Sequence, residues 1–281
     1  MIAGFDIDEF VQRALSEDLG TGGDVTSNAT ISADARFTAE LAAREPIVVA
    51  GLAIAAAFFR ALDPAVDVEM VASDGERVEK GAILMRLSGN ARAMLAAERP
   101  ALNTLQHLSG IATLTRRYVD AIEGTGAILL DTRKTTPGLR ALEKYATRMG
   151  GAQNHRMRLD DGILIKDNHV AVAGSVGAAV RAAKAANTGL QVQVEVDRID
   201  QIEEALSAGA DRLLLDNMDP PTLRRAIEVV AGRVPLEASG GVRLDTIRAI
   251  AETGVDFISL GRITQSAPAV DIGMDYSLHA S

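Results

Sequence analysis

The chain is 281 residues long, 47% hydrophobic and 24% charged, with no cysteine and a formal net charge of −9, which suits one large globular domain or two smaller ones. Disulfides, thiolate-held zinc or iron–sulfur clusters and a thiol nucleophile are excluded. Net acidity and only 3% aromatic residues leave no basic or stacking platform for nucleic acid.

The stretch Met1 to Gly20 is acidic and lacks a basic segment followed by an apolar one, so no secretory leader is read and the cytoplasm is the expected location. Within it, Phe5, Ile7, Phe10, Val11, Ala14, Leu15 and Leu19 recur at helical spacing, predicting an amphipathic helix closed by a Gly-rich turn. Short apolar runs follow between turn signals: ARFTAELAAR, PIVVAGL, AVDVEMVA, SDGERVEKG and AILMRLSG. With the helical IAAAFFRAL among them they predict an antiparallel sheet carrying a helix. The longest apolar run, Ile47 to Phe59, is short of the roughly 20 residues that cross a bilayer. The phrase DGERVEKGAILMRL has the look of a lipoyl or biotinyl carrier, but no Met-Lys-Met hairpin follows.

Pro100 is tolerated in a first helical turn, and ALNTLQHLSGIATLTRRYVDAI then continues at helical spacing to Gly124, predicting a long connecting helix. Beyond it the rhythm changes. The strands AILLD (127–131), DGILIKD (161–167), LQVQVEVD (190–197), DRLLLDN (211–217), PLEASGG (235–241) and DFISLG (256–261) alternate with amphipathic helical segments. Repeated strand-then-helix units imply a parallel sheet, here long enough to curl into a barrel smaller than the eight-unit form.

Active sites of such barrels lie at the C-terminal strand ends. Those ends read Asp131-Thr132-Arg133-Lys134, Lys166-Asp167, Glu195, Asp216, Ser239-Gly240-Gly241 and Gly261. An Asp after an apolar strand is often a helix cap, and Ser-Gly-Gly is often a plain turn; their convergence on one mouth is what points to a site. Asp131 to Lys166 holds eight basic residues (Arg133, Lys134, Arg140, Lys144, Arg148, Arg156, Arg158, Lys166) against four acidic ones. Such an island in an acidic chain is either a solvated helix face or a focused field for a small polyanion. Arg133 and Arg156 have the planar fork that reads carboxylates, and the glycines allow close approach of backbone N–H groups to phosphate. Glu195 and Asp216 together could share one hard cation with substrate phosphates. Of the histidines at 107, 155, 169 and 279, His155 lies in the basic island and is a candidate ligand contact, whereas His169 reads as structural; no His spacing suits a transition metal.

The block DTRKTTPGLRALEKYATRMGGAQNHRMRLDDGILIKDNHV (131–170), with SEDLGTGGDVTS, ERPALNTLQHLSGIATLT, VEVD, LLLDN, EASGG and ISLG, resembles the quinolinate phosphoribosyltransferase family across nearly the whole chain. The resemblance implies an α/β fold of the type II phosphoribosyltransferase kind: an N-terminal open-faced α/β sandwich (1–110), an incomplete barrel of about seven strands (111–270) and a tail (271–281) packing back toward the N-terminal domain. It implies a homodimer, Mg²⁺, and conversion of quinolinate and phosphoribosyl pyrophosphate to nicotinate mononucleotide, pyrophosphate and CO₂ in NAD biosynthesis. By the same resemblance Arg99, reaching across the dimer, joins Thr132, Arg133, His155, Arg156 and Lys166 around quinolinate. Lys134, Glu195, Asp216, Ser239, Gly240, Gly241 and Gly261 attend phosphoribosyl pyrophosphate. Lys134, Lys166, Glu195 and Asp216 carry the catalytic roles, with Glu195 and Asp216 on the metal.

Two positions depart from the family pattern. Pro100 follows the cross-subunit arginine where Thr or Val is usual, and Gln265 stands where a histidine is common, so a weaker phosphate contact is expected there. The rival readings are a molybdenum-system paralogue, although Lys166 is intact, a Schiff-base aldolase using that lysine, and a ligand-binding protein that retains the fold without catalysis.

Overall fold

The computed structural model describes residue 2 and residues 4–277. Helix α1 (Ile7–Leu19) starts at Asp6, whose carboxylate accepts the Glu9 backbone N–H, and it buries Val11 and Leu15. Helix α2 (Val25–Thr30), unanticipated in the Gly-rich turn, is likewise capped by Asp24. Then come β1 (Arg36–Ala43), β2 (Ile47–Val48), α3 (Leu52–Leu62), β3 (Asp67–Met70), β4 (Arg77–Val78), β5 (Ile83–Asn90) and α4 (Ala91–Ala121). Pro100 lies inside α4, and does not open it as its position after Arg99 suggested. A proline there forfeits one backbone hydrogen bond, and the buried face on both sides of it, including Met94, Ala97, Leu102 and Leu105, keeps the helix continuous.

The remaining elements are β6 (Ile128–Leu130), α5 (Arg140–Met149), β7 (Ile163–Ile165), α6 (Asp167–Ala173), α7 (Val176–Ala185), β8 (Val192–Val196), α8 (Asp200–Ser207), β9 (Arg212–Asp216), α9 (Pro220–Val230), β10 (Leu236–Ser239), α10 (Ile247–Ala251), β11 (Phe257–Ser259), α11 (Arg262–Gln265) and β12 (Ile272–Ser277). Two compact units result: one from the described parts of Met1–Arg116, Ala141–Gly151 and Ser266–Ser281, the other from Arg117–Arg140 and Ala152–Gln265. The sequence boundaries at 110 and 270 thus fall near unit junctions, but most of α5 groups with the first unit.

In the first unit a four-stranded antiparallel sheet has the order β12-β1-β5-β3, and β2 pairs with β4 separately. Strand β12 runs antiparallel to β1, pairing Met274 with Leu41; residues 278–281 of the expected tail, including His279, lie outside the described residues.

In the second unit six parallel strands follow the order β6-β11-β10-β9-β8-β7. A single parallel bridge joins Leu130 to Gln153, which takes the place of a seventh strand. Among the described residues no ladder joins Gln153 to β7, so the ring is incomplete there. Helices between successive strands supply the crossovers that parallel pairing requires. Strand alternation then sends Gln193 and Glu195 of β8, Arg212, Leu214 and Asp216 of β9, and Glu237 and Ser239 of β10 to one face.

Candidate active site

A cavity of about 730 Å³ opens within the second unit where β6 to β11 end. Its wall takes Thr132, Arg133 and Lys134 after β6, Lys166 and Asp167 after β7, Glu195 from β8, Asp216 and Asn217 from β9, Ser239 to Val242 after β10, and Ser259 to Arg262 with Gln265 at β11 and α11. His155 and Arg156 complete it. Every residue expected at the site from the sequence lines this cavity except Arg99, which sits on α4 with its side chain 60% exposed and only a 3.9 Å contact to Glu98.

The cationic wall is tied down by backbone bonds. Buried Asp131 accepts the His155 backbone N–H at 2.8 Å and the Asn154 amide at 2.5 Å. Arg140, at the start of α5, donates Nε to Thr135 Oγ1 (3.0 Å), Nη1 to the Met157 carbonyl (3.0 Å) and Nη2 to the Arg133 carbonyl (3.4 Å). One guanidinium therefore staples the Arg133 loop to the loop that follows Arg156. Arg156 itself donates Nη1 to the Gly162 carbonyl at 2.9 Å. Burial, and then the neighbouring Arg133 charge, push the Arg156 pKa down. Arg133 Nε is buried without a hydrogen-bond partner. Two half-buried guanidiniums that repel each other, one with an unsatisfied N–H, form a place where an anion is favoured.

Another part of the lining depends on glycine. At Gly240, with φ +89°, a Cβ would lie 2.2 Å from Asn217 Oδ1. Asn217, itself at φ +54°, donates its backbone N–H to the Ser239 carbonyl at 2.9 Å and its amide to Asp216 Oδ2 at 2.6 Å. At Gly261 a Cβ would meet Lys134 Cδ at 2.5 Å, so the lysine stem passes directly over the glycine. Thr264 Oγ1 donates to the Lys134 carbonyl at 2.7 Å. Lys166 Nζ donates to Glu195 Oε2 at 2.9 Å, with the carboxylate 12% exposed and the lysine 50%. His169 Nδ1 accepts the Lys166 backbone N–H at 2.9 Å, the structural role its sequence position suggested.

Among the described residues no group of three or more His, Asp or Glu side chains is arranged to hold a metal ion. Glu195 and Asp216, on neighbouring strands and lining one cavity, fit a hard cation only if substrate oxygens complete its shell. Sequence reasoning missed Glu237, Asn217, Ser259 and Arg262 in the lining. Glu237 carried a usable signal: it is a charged residue inside an apolar parallel strand, two positions before Ser239 and therefore on the same face.

A cavity that gathers guanidiniums, glycine-backed turns and a lysine–carboxylate pair at the strand ends of an α/β barrel defines an enzyme site for anionic substrates of the phosphoribosyltransferase kind. The chain belongs to the quinolinate phosphoribosyltransferase family: its N-terminal domain model matches residues 24–109 and its C-terminal domain model residues 111–275. The nicotinate-nucleotide pyrophosphorylase [carboxylating] of Mycobacterium leprae is 44% identical, covering 94% of this chain and 95% of that protein. A mitochondrial quinolinate phosphoribosyltransferase [decarboxylating] of Nicotiana glauca is 42% identical over 96% of this chain and 82% of its own length. The crystal structure of nicotinate-nucleotide pyrophosphorylase from Ehrlichia chaffeensis superimposes with a TM-score of 0.93 at 40% identity, covering 98% of this chain and all of that one (100%). Among the described residues no helix is long and apolar enough to cross a membrane.

Proposed function

We infer that the chain is a decarboxylating quinolinate phosphoribosyltransferase, a pentosyltransferase that makes nicotinate mononucleotide, pyrophosphate and CO₂ from quinolinate and phosphoribosyl pyrophosphate. The observation that carries this is the pair Arg133 and Arg156 in one cavity with the Ser239-Gly240-Gly241 and Gly261 turns: a reader of carboxylates shares that cavity with a cradle for phosphate.

The pyridine nitrogen of quinolinate is already a nucleophile, so no general base is needed for attack on the anomeric carbon; orientation and charge carry the step. The C–N bond forms as the C–O bond to pyrophosphate breaks. Lys134 neutralises charge on the phosphates, and Glu195 and Asp216 favour the cationic character that develops on the ribose. Mg²⁺, held by Glu195 and Asp216 together with substrate oxygens, would supply further neutralisation of the leaving group. The C2 carboxylate then leaves as CO₂, the electron pair left in the ring plane on C2 being stabilised by the adjacent pyridinium charge and afterwards protonated from solvent. Thr132, Arg133, His155, Arg156 and Lys166 surround the dicarboxylate in this proposal, and Arg99 reaches it from a second copy of the chain in a homodimer. A cytoplasmic location belongs to the same proposal.

Purified protein mixed with Mg²⁺ and phosphoribosyl pyrophosphate is expected to release pyrophosphate and CO₂ in equal amounts with quinolinate and neither with nicotinate. Pyrophosphate release with nicotinate alone would overturn the carboxylate assignment, and binding without release would favour a non-catalytic homologue.

A further inference from the structure

Arg133 and Lys134 line the cavity, yet each is held at its backbone by a side chain that lies outside the lining. The turn that carries them is tight: the Lys134 N–H is donated to Thr132 Oγ1 at 3.0 Å and the Thr135 N–H to the Arg133 carbonyl at 3.0 Å. Bonds of this kind fix the shape of the turn but not its place among the other loops of the site. Two residues of different chemistry, Arg140 and Thr264, supply that place.

Arg140 acts at Arg133. Its guanidinium meets Thr135 Oγ1, the Met157 carbonyl and the Arg133 carbonyl at once, and the Met157 N–H is donated in turn to Asp161 Oδ2 at 2.6 Å. Arg156 directly precedes Met157, so the same guanidinium ties the backbones that carry both carboxylate-reading arginines. The Arg133 and Arg156 charges oppose each other, and their spacing must therefore be imposed by the frame until an anion arrives. A planar fork can meet acceptors on two loops together, which a single ammonium cannot do.

Thr264 acts at Lys134. It is buried, 3% exposed, and its hydroxyl lies 2.7 Å from the Lys134 carbonyl and 3.1 Å from the Gly261 carbonyl. Because the Lys134 stem passes over Gly261, this one hydroxyl ties the lysine backbone to the turn that its stem crosses.

We propose that Arg140 and Thr264 are positioning residues for different substrates: Arg140 spaces Arg133 and Arg156 for the dicarboxylate, and Thr264 aims Lys134 at phosphoribosyl pyrophosphate. The naming of the substrates rests on the proposed function; the two clamps do not.

A split in KM tests it. Arg140→Lys is expected to raise the quinolinate KM about tenfold, through loss of charge-assisted bonds that an ammonium cannot all replace, and to leave the phosphoribosyl pyrophosphate KM within about twofold. Thr264→Val, of similar volume without the hydroxyl, is expected to do the reverse, raising the phosphoribosyl pyrophosphate KM about fivefold, with Thr264→Ser restoring it. Equal rises for both substrates in either variant, the signature of general loosening, overturn the proposal, as do unchanged KM values. Amide hydrogen exchange of the full chain checks the clamps without substrate: Arg140→Lys is expected to speed exchange in both 132–135 and 155–157, and Thr264→Val only in 132–135. The same pattern in both variants, or no change, overturns the proposal too. Should Arg140→Lys fail to fold, Thr135→Val, which removes the acceptor of Arg140 Nε, takes its place; Thr264→Ala stands in likewise for Thr264→Val. Wild-type protein that fails to turn over quinolinate would sink the proposed function, and the exchange pattern would still decide the two clamps.

Discussion

The two sheets handle the same ion pair in opposite ways. In the antiparallel sheet of the first unit, Arg86 on β5 stands directly opposite Glu40 on β1 and Glu69 on β3, bonding them at 2.9 and 3.2 Å with all three side chains 44–61% exposed. In the parallel sheet of the second unit, Arg212 meets Glu237 at 2.8 Å with the carboxylate fully buried. A sheet with one solvated face can leave its charges in water, whereas a barrel covers both faces and must neutralise inward charges internally. The exposed trio gains little because water already screens it. The buried pair cannot lose a member without stranding the other, which makes it a rigid support for whatever rests on it.

Removing one partner from each pair is the sharpest way to break this comparison. Arg212→Met leaves Glu237 with less than its complement of cations, and chemical denaturation is expected to show a loss of about 3–5 kcal/mol; a loss under about 1 kcal/mol would mean that water reaches the pair. The pH dependence has a definite sign. Because Glu237 is held below its ordinary value in the folded state, its stabilisation is present above the unfolded carboxylate pKa of about 4.3 and is lost as pH falls below it. The stability gap between wild type and Glu237→Gln is therefore expected to narrow on acidification, and a widening gap would contradict the assignment.

Arg156→Ala moves the comparison from the buried pair to the cavity lining: the quinolinate KM is expected to rise about 100-fold, the worth of a bidentate contact, with folding stability much less affected than in Arg212→Met. Near-wild-type kinetics would remove Arg156 from the carboxylate site. Gln265→His, restoring a positive group beside Gly261, is expected to tighten phosphoribosyl pyrophosphate binding several-fold, of the order of one added charge-assisted hydrogen bond, and unchanged binding would show that Gln265 does not meet phosphate. Smallest of all, Arg86→Ala is expected to cost less than about 1 kcal/mol, which thermal unfolding at low and high salt would check.

Much of this was legible in the chain itself. The barrel strands could be read because parallel strands buried on both faces are continuous apolar runs, and a charged or glycine terminus on each then identified one mouth of the barrel. Lys166, Glu195, Asp216 and Ser239 were found that way. Glu237 was not, because a single acid inside PLEAS looks like a solvated position until the strands β8 and β9 supply Gln193 and Arg212 and the loop after Gln153 brings His155 near. Pro100 misled because proline is a common opener of helices, and local preference is overridden when packing on both sides continues the helix.

Sequence alone therefore determined the element types, the strand-end inventory, the cationic segment and the resemblance to a family, all of which depend on residue order and period. Tertiary structure decided which charges meet: the crowding of Arg133 and Arg156, the passage of Lys134 over Gly261, the Arg140 staple and the burial of Glu237 beneath His155. The physical reason is range. Period and propensity act over a few neighbouring residues, while the field and the hydrogen bonds at a site are set by ångström distances between strands that lie far apart along the chain.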